Sequence, residues 1–550
     1  WSPGYGAAII TQSGMFSSDI TMSQRSLPLA YMVSAGNQAV LGPEDLLEFF
    51  ADDPAVRAIG LHLEGLQNIP KFEKAAIKAL TNGKPVVVLK TGSSTIGSNL
   101  TVSHTGSLSG SAELYEALFH RVGIISVTNP SQLLETLKFL CVVGAPNGRR
   151  VIGFTCSGGG ATMLADYAEK IDLIFPEFKS TQETELSALL PDIATVSNPL
   201  DYTTPIWGQA EMTYPVFAKA ISAIEADTAV LVQDYPAAEI DSSKVYYRAD
   251  AMAFARASKE QGLPAIICAT LPENMDLETR HLLIEKGVAP MQGIHEALNA
   301  IRDSADWNQA RSRILSEKPE YLLPSYPSSE QKVMSESDSK RWLKNNNFNV
   351  PNGKTVSPHE LGEAASEVGY PVALKMISPR LLHKTEAGAV VLDLKDEEEL
   401  KLAVEKMRID VTAYDADAAS ELFLVEAMSP NPVAELIVNL RQDPQFGAAL
   451  VLGSGGVLVE LMADTATLLL PTSLADIIRA LKSLRVGRLL EGFRGRPAVD
   501  IPKVAGEIYK LCIAYQDHDK TITEIEINPL FVYRDTVSAI DALIQVPVHK

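Results

Sequence analysis

The sequence predicts an α/β protein with two doubly wound parallel sheets followed by a third domain of α+β type. Residues 1–147 and residues 148–314 each alternate short apolar runs with amphipathic stretches, a pattern typical of parallel strands joined by helices. Residues 315–333 are rich in Pro and Ser and indicate a linker. Residues 334–550 resume the alternation of strands and helices, so we predict an α+β nucleotide-binding domain there.

In the first domain, polar residues stand at the ends of predicted strands. Strands are predicted at 7–11, 29–33, 56–64 and 85–90, and helices at 45–50 and 71–80. Ser13, Asn37 and Glu64 lie at or just after the ends of three of these strands. Open α/β sheets bind ligands beyond the carboxyl ends of their strands, so we expect a functional site at this edge.

His104 is the most informative residue, because small residues surround it in Val-Ser-His-Thr-Gly-Ser-Leu-Ser-Gly, 102–110. An imidazole on such a loop can accept and donate a phosphoryl group. The carboxylate of Glu64 can accept a hydrogen bond from the imidazole and leave its other nitrogen as the nucleophile. The alternatives are a surface histidine and a solvated acid at a strand end.

Two glycine-containing turns are predicted at helix starts, where unpaired backbone amides can hold phosphate. The alternative is an ordinary strand-to-helix turn. The residues of the two turns are Ser13 and Gly14 in the first domain and Ser157, Gly158, Gly159 and Gly160 in the second.

In the third domain, four residues are candidates for nucleotide and metal contacts. Lys375 and Glu426 close apolar strands and can meet a nucleotide, although a surface lysine fits equally well. Asn528 is predicted to end one strand and Asp541 to lie in the next, so that neighbouring strands bring both oxygens to one Mg²⁺. A few oxygen ligands, completed by water and phosphate, are how proteins usually hold Mg²⁺.

Composition excludes several classes of partner. The net charge of −20 argues against nucleic acid and anionic membranes, and no apolar run reaches the roughly 20 residues of a membrane helix. The four cysteines form no Cys-x-x-Cys pair, which favours free thiols and a cytoplasmic location. Residue 1 is Trp rather than Met, so we expect an upstream portion to be missing from this numbering.

Short motifs along nearly the whole chain carry a resemblance to a known family. The motifs are Gln12–Gly14, Ser34–Asn37, Leu63–Gly65, Val102–Ser107, Ser157–Gly160, Asn198–Asp201, His383–Gly388, Gly492–Pro497 and Glu526–Leu530. In this order they resemble the NDP-forming acyl-CoA synthetase superfamily, which includes ADP-forming acetyl-CoA synthetases and succinyl-CoA synthetase. The superfamily begins with a CoA-binding Rossmann-like domain that we do not find in this sequence.

The resemblance implies two flavodoxin-like domains followed by an ATP-grasp domain. It implies ATP, Mg²⁺ and CoA as cofactors, a small carboxylic acid as substrate, and His104 as a phosphohistidine oriented by Glu64. Lys375 and Glu426 would contact the nucleotide, and Asn528 and Asp541 would bind Mg²⁺. His383 would correspond to a second histidine that relays the phosphoryl group in some members. We also expect a homo-oligomer.

The acid pocket is predicted near the His104 loop, with Asn198, Asp201 and Trp207 in its lining. The face of an indole can hold a cationic methyl-onium group, and some superfamily members act on dimethylsulfoniopropionate. Trp207 packed in a core is the alternative. The leading hypothesis is an ATP-dependent acid–CoA ligase; the others are a ligase with a coupled dimethylsulfoniopropionate lyase step and a non-catalytic acyl- or nucleotide-binding regulator.

Overall fold

The computed structural model describes residues 4–94, 112–237, 241–325, 330–378, 380–381, 384–456, 464–495, 497–518 and 521–548. Its contacts divide the chain into two compact units, Trp1–Lys318 and Pro319–Lys550. Within the described ranges, no helix is long and apolar enough to cross a membrane.

The first unit begins with a five-stranded sheet in the order β2-β1-β3-β4-β5, in which all neighbouring strands are parallel. This is the strand order of flavodoxin-like folds. The strands are β1 (Gly6–Thr11), β2 (Leu29–Ser34), β3 (Val56–Leu63), β4 (Val86–Lys90) and β5 (Ile125–Val127). The helices are α1 (Gly14–Thr21), α2 (Pro43–Asp52), α3 (Ile69–Thr81), α4 (Ala112–Val122) and α5 (Pro130–Val142).

A second parallel sheet repeats this order as β7-β6-β8-β9-β10, which confirms the prediction of two doubly wound sheets. Its strands are β6 (Val151–Thr155), β7 (Leu200–Asp201), β8 (Thr228–Val232), β9 (Ala265–Ala269) and β10 (Ala289–Gln292). The helices are α6 (Gly158–Lys170), α7 (Ser180–Ser187), α8 (Ala210–Ala223), α9 (Lys244–Glu260), α10 (Leu277–Glu285) and α11 (Ile294–Glu317), with short 3-10 turns at Thr204–Ile206 and Pro272–Asn274.

Helix α5 joins the two parallel sheets into one unit. It contacts β3 of the first sheet and β10 of the second, and it packs against α11. One hydrophobic cluster therefore contains residues from both sheets. Inside this core, Lys138 Nζ lies 2.9 Å from the Glu135 carboxylate, and both side chains are fully buried. Burial lowers the pKa of Lys138 to about 8, and the charge of Glu135 opposes that shift.

The second unit contains two antiparallel sheets. The four-stranded sheet has the order β12-β15-β13-β14, and the seven-stranded sheet has the order β11-β21-β19-β16-β17-β18, with β20 paired to β19. The strands are β11 (Gln331–Val333), β12 (Gly353–Val356), β13 (Val372–Met376), β14 (Val390–Leu394), β15 (Phe423–Ala427), β16 (Ala434–Asp443), β17 (Gly447–Ser454), β18 (Thr465–Leu469), β19 (Glu524–Val532), β20 (Val537–Ala539) and β21 (Ala542–Pro547). The helices are α12 (Glu336–Asn345), α13 (Leu361–Val368), α14 (Glu397–Tyr414), α15 (Leu474–Ser483), α16 (Gly487–Leu490) and α17 (Ile501–Asp517).

Regular structure enters both ends of the predicted linker 315–333. Helix α11 continues to Glu317, and β11 begins at Gln331 and pairs with β21. The connection between the regular elements of the two units is therefore shorter than the Pro- and Ser-rich composition predicted.

Candidate functional site

A buried glutamine organises the carboxyl edge of the first sheet. The side-chain oxygen Oε1 of Gln12 accepts hydrogen bonds from the backbone amides of Glu64 and Gly65, the latter at 3.1 Å. Its Nε2 donates to the carbonyl of Gly65 at 2.7 Å. The side chain thus replaces a neighbouring strand for residues 64 and 65, and it fixes the backbone from which the Glu64 side chain projects. Sequence analysis did not assign this role to Gln12.

The carboxylate of Glu64 is half-buried at this edge, and no described residue donates a hydrogen bond to it. Lys90 approaches the backbone instead, since its Nζ donates to the Glu64 carbonyl at 2.9 Å. Burial lowers the pKa of Lys90 to about 8, and the charge of Glu64 opposes that shift. The carboxylate is therefore an acceptor carried on a fixed backbone. Its predicted partner, His104, lies outside the described residues, as does His383.

His62 is a second residue that the sequence analysis did not single out. Its ring lies at the end of β3, with Nδ1 2.9 Å from Thr11 Oγ1 and Nε2 3.4 Å from Thr91 Oγ1. Burial, assisted by the charge of Lys90, lowers the pKa of His62 to about 4, so the ring is neutral near pH 7. Thr11 Oγ1 also accepts from the backbone amide of Ser13 at 3.0 Å. His62 thereby braces the turn that leads into α1.

Both predicted glycine turns lie at helix starts. Ser13 caps α1, because its side chain accepts from the amide of Phe16 at 3.3 Å. Ser157 precedes α6 but makes no capping hydrogen bond with its side chain. Gly160 is required by packing, since a Cβ there would lie 2.6 Å from Thr155 Oγ1. The first backbone amides of α6 therefore make fewer capping hydrogen bonds within the protein than those of α1.

Asp201 lies beside the start of α6, at the edge of the second sheet. One of its oxygens accepts from the amide of Thr203 at 2.9 Å, and the other lies 3.6 Å from where a Cβ on Gly158 would be. Thr203 itself has a φ of 69°, a costly conformation for a β-branched residue. The turn after β7 is thus held in a specific shape next to the helix terminus.

Asn198 is held by backbone groups of the second sheet and its surroundings. Its Oδ1 accepts from the amide of Gly153 in the middle of β6, and its Nδ2 donates to the carbonyls of Val151 and Pro176, each at 3.0 Å. All of these partners are backbone groups. The contacts give Asn198 a structural role as a brace of the sheet, and its place in the lining of the acid pocket stays a prediction.

Trp207 is half-buried and packs against the hydrophobic core of the second sheet. Its ring meets that of Tyr247 edge to face, with 4.7 Å between centroids. The indole Nε1 is buried and has no hydrogen-bond partner within the part of the chain that the structure describes. These contacts agree with the core alternative weighed for Trp207, and its role in an acid pocket stays a prediction.

In the second unit, Lys375 and Glu426 lie inside a buried group of charges. Lys375 Nζ is 2.6 Å from Glu336 and 3.1 Å from Glu426, and it donates to the carbonyl of Ile540 at 2.8 Å. Lys340 Nζ contacts both oxygens of Glu426 at 2.6 and 2.7 Å and lies 2.9 Å from Glu336. Neither candidate is a surface residue, so that alternative for Lys375 is wrong: the side chain is only 5% exposed.

Lys384 and Asp541 extend this group. Lys384 Nζ is 2.5 Å from Glu336 and lies 3.1 and 3.2 Å from the two carboxylate oxygens of Asp541. We refer to these six residues as the charge cluster; its members are Glu336, Lys340, Lys375, Lys384, Glu426 and Asp541. Burial alone would raise the pKa of Glu336, but the charges of three lysines hold it well below its usual range. Glu336 is therefore the ionised hub of the cluster.

Glu336 and Lys340 were missed because their sequence signal is ordinary. They stand four residues apart at the start of α12, after the N-cap Ser335, a spacing typical of exposed helical ion pairs. They are buried because α12 packs against β21 and their side chains pair with Lys375 of β13 and Glu426 of β15.

The backbones of Asn528 and Asp541 lie side by side, although their positions in the elements differ from the prediction; a Mg²⁺ shared by their side-chain oxygens stays a prediction. Asn528 lies within β19 rather than at its end, and Asp541 lies between β20 and β21 rather than in a strand. The backbone amide of Asn528 donates to the backbone carbonyl of Asp541 at 3.3 Å. The side-chain oxygen Oδ1 of Asn528 accepts from the backbone amide of Gly456 at 3.0 Å. Asn528 lies inside the strand because β19 pairs with β16 and continues for several residues beyond the polar motif.

Glu526 adds a third oxygen donor to this neighbourhood. It is half-buried, and its pKa is raised first by burial and then by the charges of Glu524 and Asp541. Negative charge concentrated near amide and carboxylate oxygens suits a hard cation such as Mg²⁺. Among the described residues, no three His, Cys, Asp or Glu side chains form a group that could hold a metal ion by themselves.

Comparisons with known protein families match the first flavodoxin-like sheet and the second unit. Residues 5–140 match the family described as succinyl-CoA ligase like flavodoxin domain, and residues 326–546 match the ATP-grasp domain family. The chain is 28% identical to an ADP-forming acetate–CoA ligase of Archaeoglobus fulgidus over 97% of this chain and 77% of that protein. It is 34% identical to the beta subunit of ADP-forming acetate–CoA ligase II of Pyrococcus furiosus over 38% of this chain and 88% of that subunit.

A solved structure supports the fold. The acetyl-coenzyme A synthetase 1 of Ca. Korarchaeum cryptofilum, in complex with phosphate and ADP, superposes with a TM-score of 0.50 and 24% identity over 57% of this chain and 67% of that chain. From the domain matches and the extent of the archaeal relatives, we conclude that this chain belongs to the NDP-forming (ADP-forming) acyl-CoA synthetase family.

Proposed function

We propose that this protein is an ATP-dependent acid–CoA ligase that forms an acyl-CoA, ADP and phosphate from a carboxylic acid, CoA and ATP. The observation that carries the proposal is the carboxylate of Glu64, whose backbone is held by Gln12 and which receives no hydrogen bond from the described residues. Family membership supplies the reaction class. The substrate in this proposal is a small carboxylic acid.

In this proposal, His104 carries the phosphoryl group. A ring nitrogen attacks the γ-phosphorus of ATP, so that a P–N bond forms, the P–O bond to ADP breaks and ADP leaves. A carboxylate oxygen of the acid then attacks the same phosphorus and releases the imidazole. The thiolate of CoA finally attacks the acyl carbon, and phosphate leaves. Glu64 holds the other ring nitrogen of His104, which keeps the attacking nitrogen free of a proton.

The helix starts at Ser13 and Ser157 supply positive potential for the phosphoryl group while it is at the flavodoxin sheets. Backbone amides there stabilise the charge without adding a titratable group. Asp201, beside Gly158, together with Trp207 would line the acid pocket.

In the ATP-grasp unit, Lys375, Glu426 and Lys384 would bind the nucleotide, and Asn528 and Asp541 would hold Mg²⁺. When bound, Mg²⁺ neutralises charge on the phosphates during transfer. The residues of the chain position the nucleotide, and the buried lysines keep its phosphates oriented. A second histidine, His383, would relay the phosphoryl group, and the protein would act as a homo-oligomer.

Phosphorylation of His104 by Mg·ATP alone tests this function. We expect mass spectrometry under mildly alkaline conditions to find a phosphoryl group on His104 of the wild type. His104→Asn should lose this label and reduce acyl-CoA formation by at least about 10³-fold, as removal of a nucleophile usually does. His359→Asn, at an exposed position, is the matched control and should behave as the wild type.

Turnover retained by His104→Asn would contradict the phosphohistidine mechanism. ATP binding without phosphorylation or acyl-CoA formation would favour the non-catalytic regulator instead. The lyase alternative finds no support in the relatives described above, which are all named as ligases or synthetases. A sulfide product from dimethylsulfoniopropionate is therefore not part of the proposed function.

A further inference from the structure

Lys384 forms an ion pair with the carboxylate of Asp541, which is a proposed ligand of the metal. Its ammonium lies 3.1 and 3.2 Å from the two oxygens of Asp541, so it faces both of them. The Lys384 side chain is 15% exposed and that of Asp541 is 35% exposed. The pair is thus partly shielded from solvent, and its attraction is screened less than that of a surface pair.

A second contact keeps Lys384 in place independently of Asp541. Glu336 Oε2 lies 2.5 Å from Lys384 Nζ, and the Glu336 side chain is 1% exposed. Lys340 and Lys375 also contact Glu336. If Lys384 left Asp541, it would keep this buried partner, and the remaining lysines would still balance the charge of Glu336.

Asp541 has neighbours that suit a metal ion when Lys384 is gone. The backbone amide of Asn528 donates to the Asp541 carbonyl at 3.3 Å, so these two residues lie side by side. Glu526 pairs with Leu543, two residues after Asp541, in the β19–β21 register. Within the described ranges, Glu526 has no ion-pair partner. An ammonium and a divalent cation on the same carboxylate repel one another, so both cannot occupy it at full strength.

We propose that Lys384 is an exchangeable internal counter-ion of the metal site, which neutralises Asp541 in the nucleotide-free protein and is displaced from it when the metal binds. The inference rests on the proposed function. Displacement leaves Lys384 tethered to Glu336 and available to the phosphates of the nucleotide. Metal and nucleotide therefore bind cooperatively, because each favours the arrangement in which Lys384 has left Asp541.

Metal binding by the nucleotide-free protein tests this exchange. Binding of Mn²⁺, used as a spectroscopic probe for Mg²⁺, is measured by electron paramagnetic resonance without nucleotide. We expect Lys384→Met to bind Mn²⁺ about tenfold more tightly than the wild type, within the range usual for coupling between ligands. The same variant should bind metal-free ADP more weakly in calorimetry. An activity assay is not needed for either measurement.

Lys401→Met is the matched control, since it removes the same charge from an exposed pair with Glu397 in the same unit. It should leave both affinities unchanged. If Lys384→Met does not fold, Lys384→Gln keeps a hydrogen-bond donor without the charge, and it should show the same tighter Mn²⁺ binding. Unchanged or weaker Mn²⁺ binding by a folded variant would overturn the inference. If the inference fails in this way but the wild-type protein binds Mg·ADP, the proposed function still stands. If the wild-type protein binds no nucleotide, both the inference and the proposed function are overturned.

Discussion

Hydrogen bonds from mostly neutral side chains hold the edge of the first flavodoxin-like sheet, whereas ion pairs hold the interior of the ATP-grasp unit. At the sheet edge, Gln12, Thr11 and a neutral His62 fix the backbone of the predicted phosphoryl site. In the charge cluster, three lysines contact three carboxylates within about one side-chain length of each other. The two regions reach a rigid site by different physical means.

The difference shows what each region can do with an anion. The sheet edge brings few fixed charges to the phosphoryl site, so backbone amides at the helix starts can stabilise it without breaking an existing ion pair. The charge cluster is balanced before any ligand arrives. A metal–nucleotide complex must therefore exchange partners with it, and the free energy of binding depends on which internal pairs are replaced.

The largest expected effect is a loss of stability when a lysine is removed from the charge cluster. Lys375→Met leaves the buried carboxylates of Glu336 and Glu426 short of a cation, and loss of one partner from a buried ion pair costs about 3–5 kcal/mol. We expect the free energy of local unfolding in residues 319–550 to fall by this amount, as measured by hydrogen exchange at increasing urea concentration. Lys510→Met removes an exposed pair with Glu507 and should change it by less than about 1 kcal/mol. A small effect of Lys375→Met would mean that the cluster does not stabilise the unit.

Acid is expected to destabilise the edge of the first sheet by protonating His62. The unfolded chain protonates this ring below its ordinary pKa of 6.5, whereas the folded chain does so only near pH 4. Stability from this group is therefore complete above pH 6.5 and is lost as the pH falls from 6.5 to 4. At pH 5 the loss is about 2 kcal/mol by proton linkage.

The His62 prediction is checked by unfolding the first unit at pH 7 and pH 5. His62→Gln keeps a polar side chain between the two threonines but does not titrate, so its loss of stability between these pH values should be smaller than that of the wild type by about 2 kcal/mol. Equal losses in both proteins would show that another group controls the acid response.

The smallest effect sharpens the comparison within the neutral region. Ser13 caps α1 with a hydrogen bond, but Ser157 does not cap α6 with its side chain. Ser13→Ala should therefore cost about 1 kcal/mol of stability, and Ser157→Ala only a few tenths. Chemical denaturation of the two variants, followed at the first unit, measures the difference. Equal costs would mean that the two helix starts are used alike.

Much of the fold followed from local pattern. The alternation of apolar runs and amphipathic stretches predicted both parallel sheets, and small polar residues after strands predicted the helix starts at Ser13 and Ser157. The closeness of the Asn528 and Asp541 backbones also followed from the sequence, because the polar motif and the following strand are close along the chain. These features depend on hydrogen bonds and periodicities within a few residues.

The functional surroundings were less accessible to sequence reasoning. Asn198 stood in a motif that suggested a ligand contact, but its amide pairs with backbone groups that sequence alone does not place next to it. Trp207 suggested an aromatic wall, and the structure shows its ring packed beside that of Tyr247, a contact that fits a core residue as well as a pocket wall. The same residue type serves a core or a ligand, and only its neighbours in space distinguish the two.

The sequence by itself determined the class of the protein, the order of its domains and the strand ends at which polar side chains collect, since each is written in short-range periodicity and motif order. Only the tertiary structure decided which charges are paired. Glu336 meets Lys375 and Glu426 meets Lys340 across separations of 39 and 86 residues, and Gln12 reaches Gly65 across 53. Burial and partner geometry set the strength of these contacts, and both arise only when distant segments pack together.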